Sequence, residues 1–162
     1  VTLAITGNVS LRFRDHSYRW INLKHFAFEV GVPDEAVLNE LFAHRQFADG
    51  YIGGGPGAAA IHGPYQLTAI TPGNYRSIRP DEATAWLDDF CALFDSPPTG
   101  PLASDIDAVA RQRLRQSDSV LRLDTLGKAA QHESGWVLHE FRELIAIRRD
   151  AGELTLLVMG ID

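Results

Sequence analysis

The sequence predicts an α+β fold: a mostly antiparallel sheet made of an N-terminal hairpin, central strands and a C-terminal hairpin, packed against three to four helices. Three observations point there. Residues 2–14 alternate apolar and polar side chains with the period of a strand. Residues 80–94 repeat apolar side chains at helical spacing. Residues 144–147 and 156–159 are unbroken apolar runs, the pattern of strands covered on both faces.

At the amino end, residues 2–6 and 9–14 read as two strands joined by Gly7-Asn8, a dipeptide that supplies the positive φ angles of a tight reversal. Val9, Leu11 and Phe13 then face inward. Ser10, Arg12 and Arg14 share the other face, either as solvated surface or as an anion-binding stripe. Residues 22–46 admit two readings. In the helical one, which is preferred, Asn22 caps a helix with Leu23, Phe26, Ala27 and Val30 on one face and Gly31 ends it. Pro33 then opens a second helix with Val37, Leu38, Leu41 and Phe42 inward. In the other, residues 26–32 alternate as a strand ahead of the same second helix.

Further on, residues 65–70 and 75–78 read as strands bounded by Gly-Pro and Pro-Gly pairs. Between Pro80 and Phe94, Ala83, Trp86, Leu87, Phe90 and Phe94 form the inner stripe of a helix whose first turn carries Asp81 and Glu82, favourable at the positive end of its dipole. The proline-rich segment 96–101 cannot continue that helix and reads as a surface linker within a single domain spanning residues 1–162. A helix capped by Ser104 then runs through Ile106, Val109, Ala110 and Leu114 toward Leu121, with Arg111, Arg113 and Arg115 outside. The carboxyl end is a hairpin, residues 144–147 and 154–158, turning through residues 149–152.

Composition narrows the function classes. Hydrophobic residues make up 45% and charged residues 22% of 162, ordinary values for a chain that builds its own core. The net charge of −6 repels nucleic acid and anionic membrane, and neither is expected as a partner. Cys91 is the only cysteine, which rules out an intrachain disulfide and a thiolate metal cluster, and its place on an apolar helix face suits an inert buried thiol. The first twenty residues contain no secretory h-region, and no window approaches the roughly 20 apolar residues of a membrane span. A soluble cytoplasmic protein without cofactor or metal is the expectation.

Two partial resemblances follow from residues 22–46. In the helical reading Ala27, Gly31, Val32 and Val37 occupy the small, turn and packing positions of a helix-turn-helix, which the segment resembles over about twenty residues. That resemblance implies DNA contact, yet Asp34, Glu35 and Glu40 stand where phosphates would lie. In the strand reading, residues 25–30 running into an acidic helix and a glycine-rich return resemble a glyoxalase/bleomycin-resistance half-module over about forty residues. This second resemblance implies His25 as a metal ligand.

The residues that carry chemistry are few. Six of the fourteen glycines fall between Gly50 and Gly63, so the backbone there either approaches a neighbour closely or turns unusually. The run has no Gly-Lys-Ser/Thr ending, so a flap or tight turn built around Gly54 and Gly55 is expected in place of a phosphate cradle. His139 and Glu143 share one face of the expected C-terminal strand with Phe141 and Ile145, where an imidazole and a carboxylate must pair or shift their pKa values. His62 and Tyr65 follow the glycine run and are placed to close a site from the loop.

The leading expectation is therefore a non-catalytic binding module for a protein partner or a small polar ligand, contacted by Tyr65, Arg12, Arg14, Gly54 and Gly55. The alternative is a small cofactor-independent lyase, isomerase or hydrolase with His139 and Glu143 as acid/base pair and His62 completing the site.

Overall fold

The two apolar strands at the carboxyl end lie at the centre of the molecule. In the computed structural model, which describes residues 1–162, β7 (Glu140–Arg148) and β8 (Glu153–Ile161) form an antiparallel hairpin. The remaining strands of the sheet are β1 (Ala4–Arg12), β2 (Arg19–Ala27), β5 (Tyr75–Ile78) and β6 (Ser119–Leu123). The order across the sheet is β1-β2-β8-β7-β6-β5, with every neighbouring pair antiparallel. A separate two-residue ladder joins β3 (Ile61–His62) to β4 (Tyr65–Gln66).

The pleat sends successive side chains to opposite faces, so each central strand feeds two cores. Ile145, Ile147, Leu154, Leu156 and Val158 enter one core, covered by α1 (Asp34–Ala43) and by Phe47, Tyr65 and Ile70 of the segment beyond it. Leu144, Ala146, Leu157 and Met159 enter the other, covered by α2 (Pro80–Cys91) and a third helix. That third helix is continuous: α3 (Gly100–Asp105) passes through a π-helical stretch (Ile106–Arg111) into α4 (Gln112–Arg115). The N- and C-terminal hairpins, the central strands and three helical bodies give the α+β architecture that the pattern predicts. No helix is long and apolar enough to cross a membrane.

Several elements differ from the sequence reading. Residues 19–27 form β2 and not a helix, because both of its faces are buried and it pairs along its whole length with buried β8. Each fully buried Leu, Ile or Phe gained this way contributes about 1.5–3 kcal/mol, well above the tenths of a kcal/mol by which local helix propensity varies. The first helix of the helix-turn-helix resemblance is thereby lost, while α1 begins directly after Pro33 as expected. Gly7-Asn8 makes no turn: β1 passes straight through it with a register shift between Ile5 and Gly7, and the hairpin reverses between Arg12 and Arg19, where His16 and Tyr18 have positive φ. The strand expected at 65–70 is confined to β4 and gives way to a 3-10 turn. The helix expected to start at Ser104 starts at Gly100, with the Ser104 hydroxyl bonded back to the Gly100 carbonyl, and it ends before β6.

The proline-rich segment is anchored by a buried cation. Arg19 is fully buried, and all five of its N–H groups have an acceptor: Ser17 Oγ, the Phe90, Cys91 and Ser96 carbonyls, and Asp15 Oδ2. The guanidinium thus caps the carboxyl end of α2, where orphan carbonyls and the helix dipole favour positive charge. Hydrogen bonds from Ser17, Ser96 and Arg19 hold the Asp15 carboxyl well below the usual carboxylate range.

The β7–β8 turn depends on Gly152, whose φ is 61° and whose missing Cβ would overlap the Phe28 carbonyl oxygen. A left-handed conformation alone costs a side chain about 1–2 kcal/mol. Gly152→Ala is expected to lower the unfolding free energy by about 2 kcal/mol or more, read as a reduced urea midpoint at unchanged slope.

Candidate functional site

Three polar side chains enter the face of the sheet that lies beneath the glycine-rich segment: Asn22 and Lys24 from β2 and Glu143 from β7. Asn22 and Glu143 lie on either side of Val158 in β8, and Lys24 is one pleat further along β2. All three are buried, so each needs a partner from the covering segment.

Glu143 finds two. Its Oε2 meets His62 Nε2, and its Oε1 accepts the Tyr75 hydroxyl at 2.5 Å. His62 Nδ1 lies 2.7 Å from the Phe47 carbonyl, which can only accept, so Nδ1 carries a proton there. The other ring nitrogen, Nε2, is taken up by the Glu143 contact. The imidazole is stacked on Phe47 with ring centroids 3.7 Å apart and is met edge-on by Phe141. Lys24 Nζ donates to Asp49 Oδ2 at 2.6 Å and to the Gln46 carbonyl at 2.7 Å, and lies 4.8 Å from the Tyr51 ring centre. Burial lowers the Lys24 pKa, opposed by the hydrogen bond and charge of Asp49 and by Glu143. Burial, reinforced by Glu143, raises the Tyr75 hydroxyl well above its usual value; burial, reinforced by Asp49 and Glu143, does the same to Tyr51.

The covering segment reaches these partners by an uncommon backbone path. Tyr51, Gly53, Gly54, Gly55 and Gly57 all have positive φ. Gly63 answers the other need, since a Cβ there would overlap the Phe141 ring that packs against His62. Tyr51, a non-glycine residue at φ 59°, is the strained member. Its amide donates to Asp49 Oδ1 and its ring stacks on Trp20, yet its buried hydroxyl has no partner.

Beside this network a cleft of about 250 Å³ opens between the outer strands and the glycine-rich loop, walled by Ser10, Arg12, Asn22, Asp49, Tyr51 and Pro56. The Asn22 amide nitrogen points to Asn8 Oδ1, Val9 O and Ser10 Oγ, two of which accept only, so its orientation is fixed. Asn22 Oδ1 is left buried without a partner. Arg12, exposed and making no ion pair, also lines a larger groove of about 540 Å³ that runs past Arg14 to Pro97 and Pro98.

The sequence-predicted residues therefore part company. His62 and Glu143 come together, while His139 is exposed ahead of β7, its amide bonded to the Ile161 carbonyl. The expected His139–Glu143 pairing does not form because β7 begins one residue after His139, leaving the imidazole outside the sheet. Arg12 and Arg14 share the groove. Gly54 and Gly55 sit exposed in the loop above the cleft wall at Pro56. Tyr65 pairs with His62 across the β3–β4 ladder and is buried against the Phe141 ring, outside the cleft walls, its hydroxyl accepting the Leu126 amide. His25 bonds to Thr155 Oγ1, and no group of three or more His, Cys, Asp or Glu side chains gathers as a metal site. Lys24, Asp49, Tyr51 and Tyr75 escaped sequence reasoning. The signal for Lys24 was present, as a lysine set between Leu23 and Phe26 in one of the chain's most buried strands.

Removing the Glu143 carboxyl leaves the His62 ring nitrogen and the Tyr75 hydroxyl buried without a partner, at about 1–3 kcal/mol each. Glu143→Ala is expected to lose that much unfolding free energy by denaturant titration. The raised tyrosine gives a second forecast with a definite sign. Above the usual tyrosine value near 10 the unfolded chain releases its phenolic proton while the folded chain keeps it, so stability falls as pH rises. Tyr75→Phe is expected to make that alkaline decline shallower by up to about 1.4 kcal/mol per pH unit, measured as urea midpoints between neutral pH and the alkaline limb.

Comparison of the chain with family profiles, with curated proteins and with solved structures finds no match, and the side chains alone carry the functional reading.

Proposed function

We propose that the protein is a soluble, non-catalytic binding module for a small polar ligand, seated in the cleft between the outer strands and the glycine-rich loop. One observation carries this reading: Asn22 and Tyr51 both line this cleft, and each holds a side-chain oxygen, Oδ1 and Oη, that is buried just behind the wall without a partner. Each unsatisfied buried group costs about 1–3 kcal/mol, which a ligand offering a donor and an acceptor recovers. Arg12 on the rim adds a free cation. The complementary molecule carries a hydroxyl or amino group beside a carboxylate, as a hydroxy acid or amino acid does. At about 250 Å³ the cleft lies below the usual range for drug-sized ligands and suits a small metabolite.

One domain over residues 1–162 fits this reading, because both cores share one sheet. A cytoplasmic setting fits a chain whose lone cysteine is buried and whose thiol is pushed up to about 11 by burial.

The enzymatic alternative draws on the His62–Glu143 pair, a true imidazole–carboxylate contact. Against it, both groups are fully buried, and both ring nitrogens and both carboxylate oxygens are already engaged. A general base needs a lone pair within reach of substrate.

A titration of the isotope-labelled protein with a panel of hydroxy acids and amino acids tests the binding reading. At least one compound is expected to give saturable amide shifts at Ser10, Arg12, Asp49 and Tyr51. Tyr51→Phe is expected to leave the stability of the free protein unchanged or raised while weakening that compound about tenfold, the worth of one hydrogen bond of about 1.4 kcal/mol. A panel that moves none of these amides removes the proposal.

A further inference from the structure

Three arginines line up across the far end of the sheet. Arg76 of β5 stands directly opposite Arg122 of β6. Arg122 in turn faces Leu144 of β7, two residues from Arg142, so all three start from one face of the sheet. Like charges placed directly opposite are destabilising in a sheet, and something must offset them.

For two of the three the offset is visible. Arg142 donates to Asp89 and Glu140, each at 2.9 Å, and to the Trp86 carbonyl at 3.3 Å. Arg76 approaches Asp124 at 3.5 Å. Arg122 makes no ion pair and no hydrogen bond within the chain, although it is partly buried. Its guanidinium carbon lies 3.8 Å from the centre of the Trp86 ring. Burial, with Arg76 and Arg142, lowers its pKa. Stacking on the indole holds the guanidinium plane, while its five N–H groups remain unspent. Arg122 also walls a cleft of about 210 Å³ that Trp86, Thr125, Phe141 and Arg142 complete, with Asp124 and Glu140 on its sides already engaged by Arg76 and Arg142.

We propose that Arg122 is the anchor of an oxyanion-binding site, taking the carboxylate or phosphate group of a small ligand into the cleft beside Trp86. The oxyanion supplies the charge that Arg76 and Arg122 lack between them, and the planar fork of Arg122 offers it two parallel N–H donors. The site is separate from the cleft at Asn22 and Tyr51: β8 and β7 lie between β2 and β6.

The test is a nitrogen–proton correlation titration of the full chain with inorganic phosphate and, separately, with acetate, chloride holding the ionic strength constant. Saturable shifts are expected at residues 121–125 and 140–142. A response to phosphate alone identifies the phosphate form of the ligand, to acetate alone the carboxylate form, and to both a general oxyanion site; each supports the assignment. Arg122→Met keeps an aliphatic chain over Trp86 and is expected to bind at least about tenfold more weakly, as the loss of a charge-assisted hydrogen bond implies. In anion-free buffer it is expected to melt no lower than the wild type. Arg122→Lys, which retains charge without the fork, is also expected to bind more weakly, and Arg12→Ala is expected to retain the response. No saturable response to either anion, or one that survives in Arg122→Met, overturns the assignment.

Discussion

Strand β2 carries two buried cations on opposite faces, and much of the rest of the molecule is arranged to satisfy them. Arg19 projects into one core and Lys24, five residues on and therefore across the pleat, into the other. An unpaired ion in either place would cost several kcal/mol, so neither face can be covered by apolar side chains alone. On the Arg19 side the answer is mixed: the end of α2 and the start of the proline-rich segment turn three main-chain carbonyls to one guanidinium, and the reversal between β1 and β2 adds the Asp15 carboxylate and the Ser17 hydroxyl. On the Lys24 side the answer is Asp49 and the Gln46 carbonyl. The glycine-rich path beyond Asp49 follows from that anchor.

The polar groups beneath that path divide into a closed set and an open one. His62, Glu143 and Tyr75 satisfy one another and link three strands and the Phe47 carbonyl. Such a network specifies how the covering segment sits and leaves nothing for a substrate. Asn22 and Tyr51 lie on the neighbouring wall with an unused acceptor and an unused hydroxyl. The proposed ligand cleft rests on this contrast between saturated and unsaturated neighbours and not on cleft size. The groove past Arg14 is twice as large, yet its partly exposed Asp15 is already spent on Ser17, Ser96 and Arg19.

Legibility in the sequence followed locality. The C-terminal hairpin and α2 could be read because their apolar spacing and turn residues lie within a few positions of one another. The burial of Glu143 was legible for the same reason, from its place among Phe141, Ile145 and Ile147. Its partner was not: period-two reasoning joins it to His139, while the fold brings His62 from 81 residues away. β2 was misread because its apolar residues satisfy a helical stripe about as well as a two-sided strand, and only pairing with β8 decides between them. Gly7-Asn8 carries the chemistry of a reversal, yet neither residue takes a positive φ and both pair within β1 next to the shifted register, because pairing with β2 outweighs the local turn preference. The anchoring role of Arg19 had only a partial local signal, Asp15 and Ser17 beside it, because its other three acceptors are carbonyls 71 to 77 residues away and any residue supplies those.

The bulge near Gly7 has a consequence at the rim of the sheet. β1 is the outermost strand and is bonded on one side only, leaving a nine-residue border of open main-chain valences. A straight border of that length is a template on which identical chains stack into fibrils. The irregular register at Ile5 and Gly7 breaks its repeat, and Arg12 sets a charge near its end, so that copies adding edge to edge lose their match partway along. The irregularity beside Gly7 thus makes this exposed margin a poorer template for edge-to-edge growth than a regular strand of the same length.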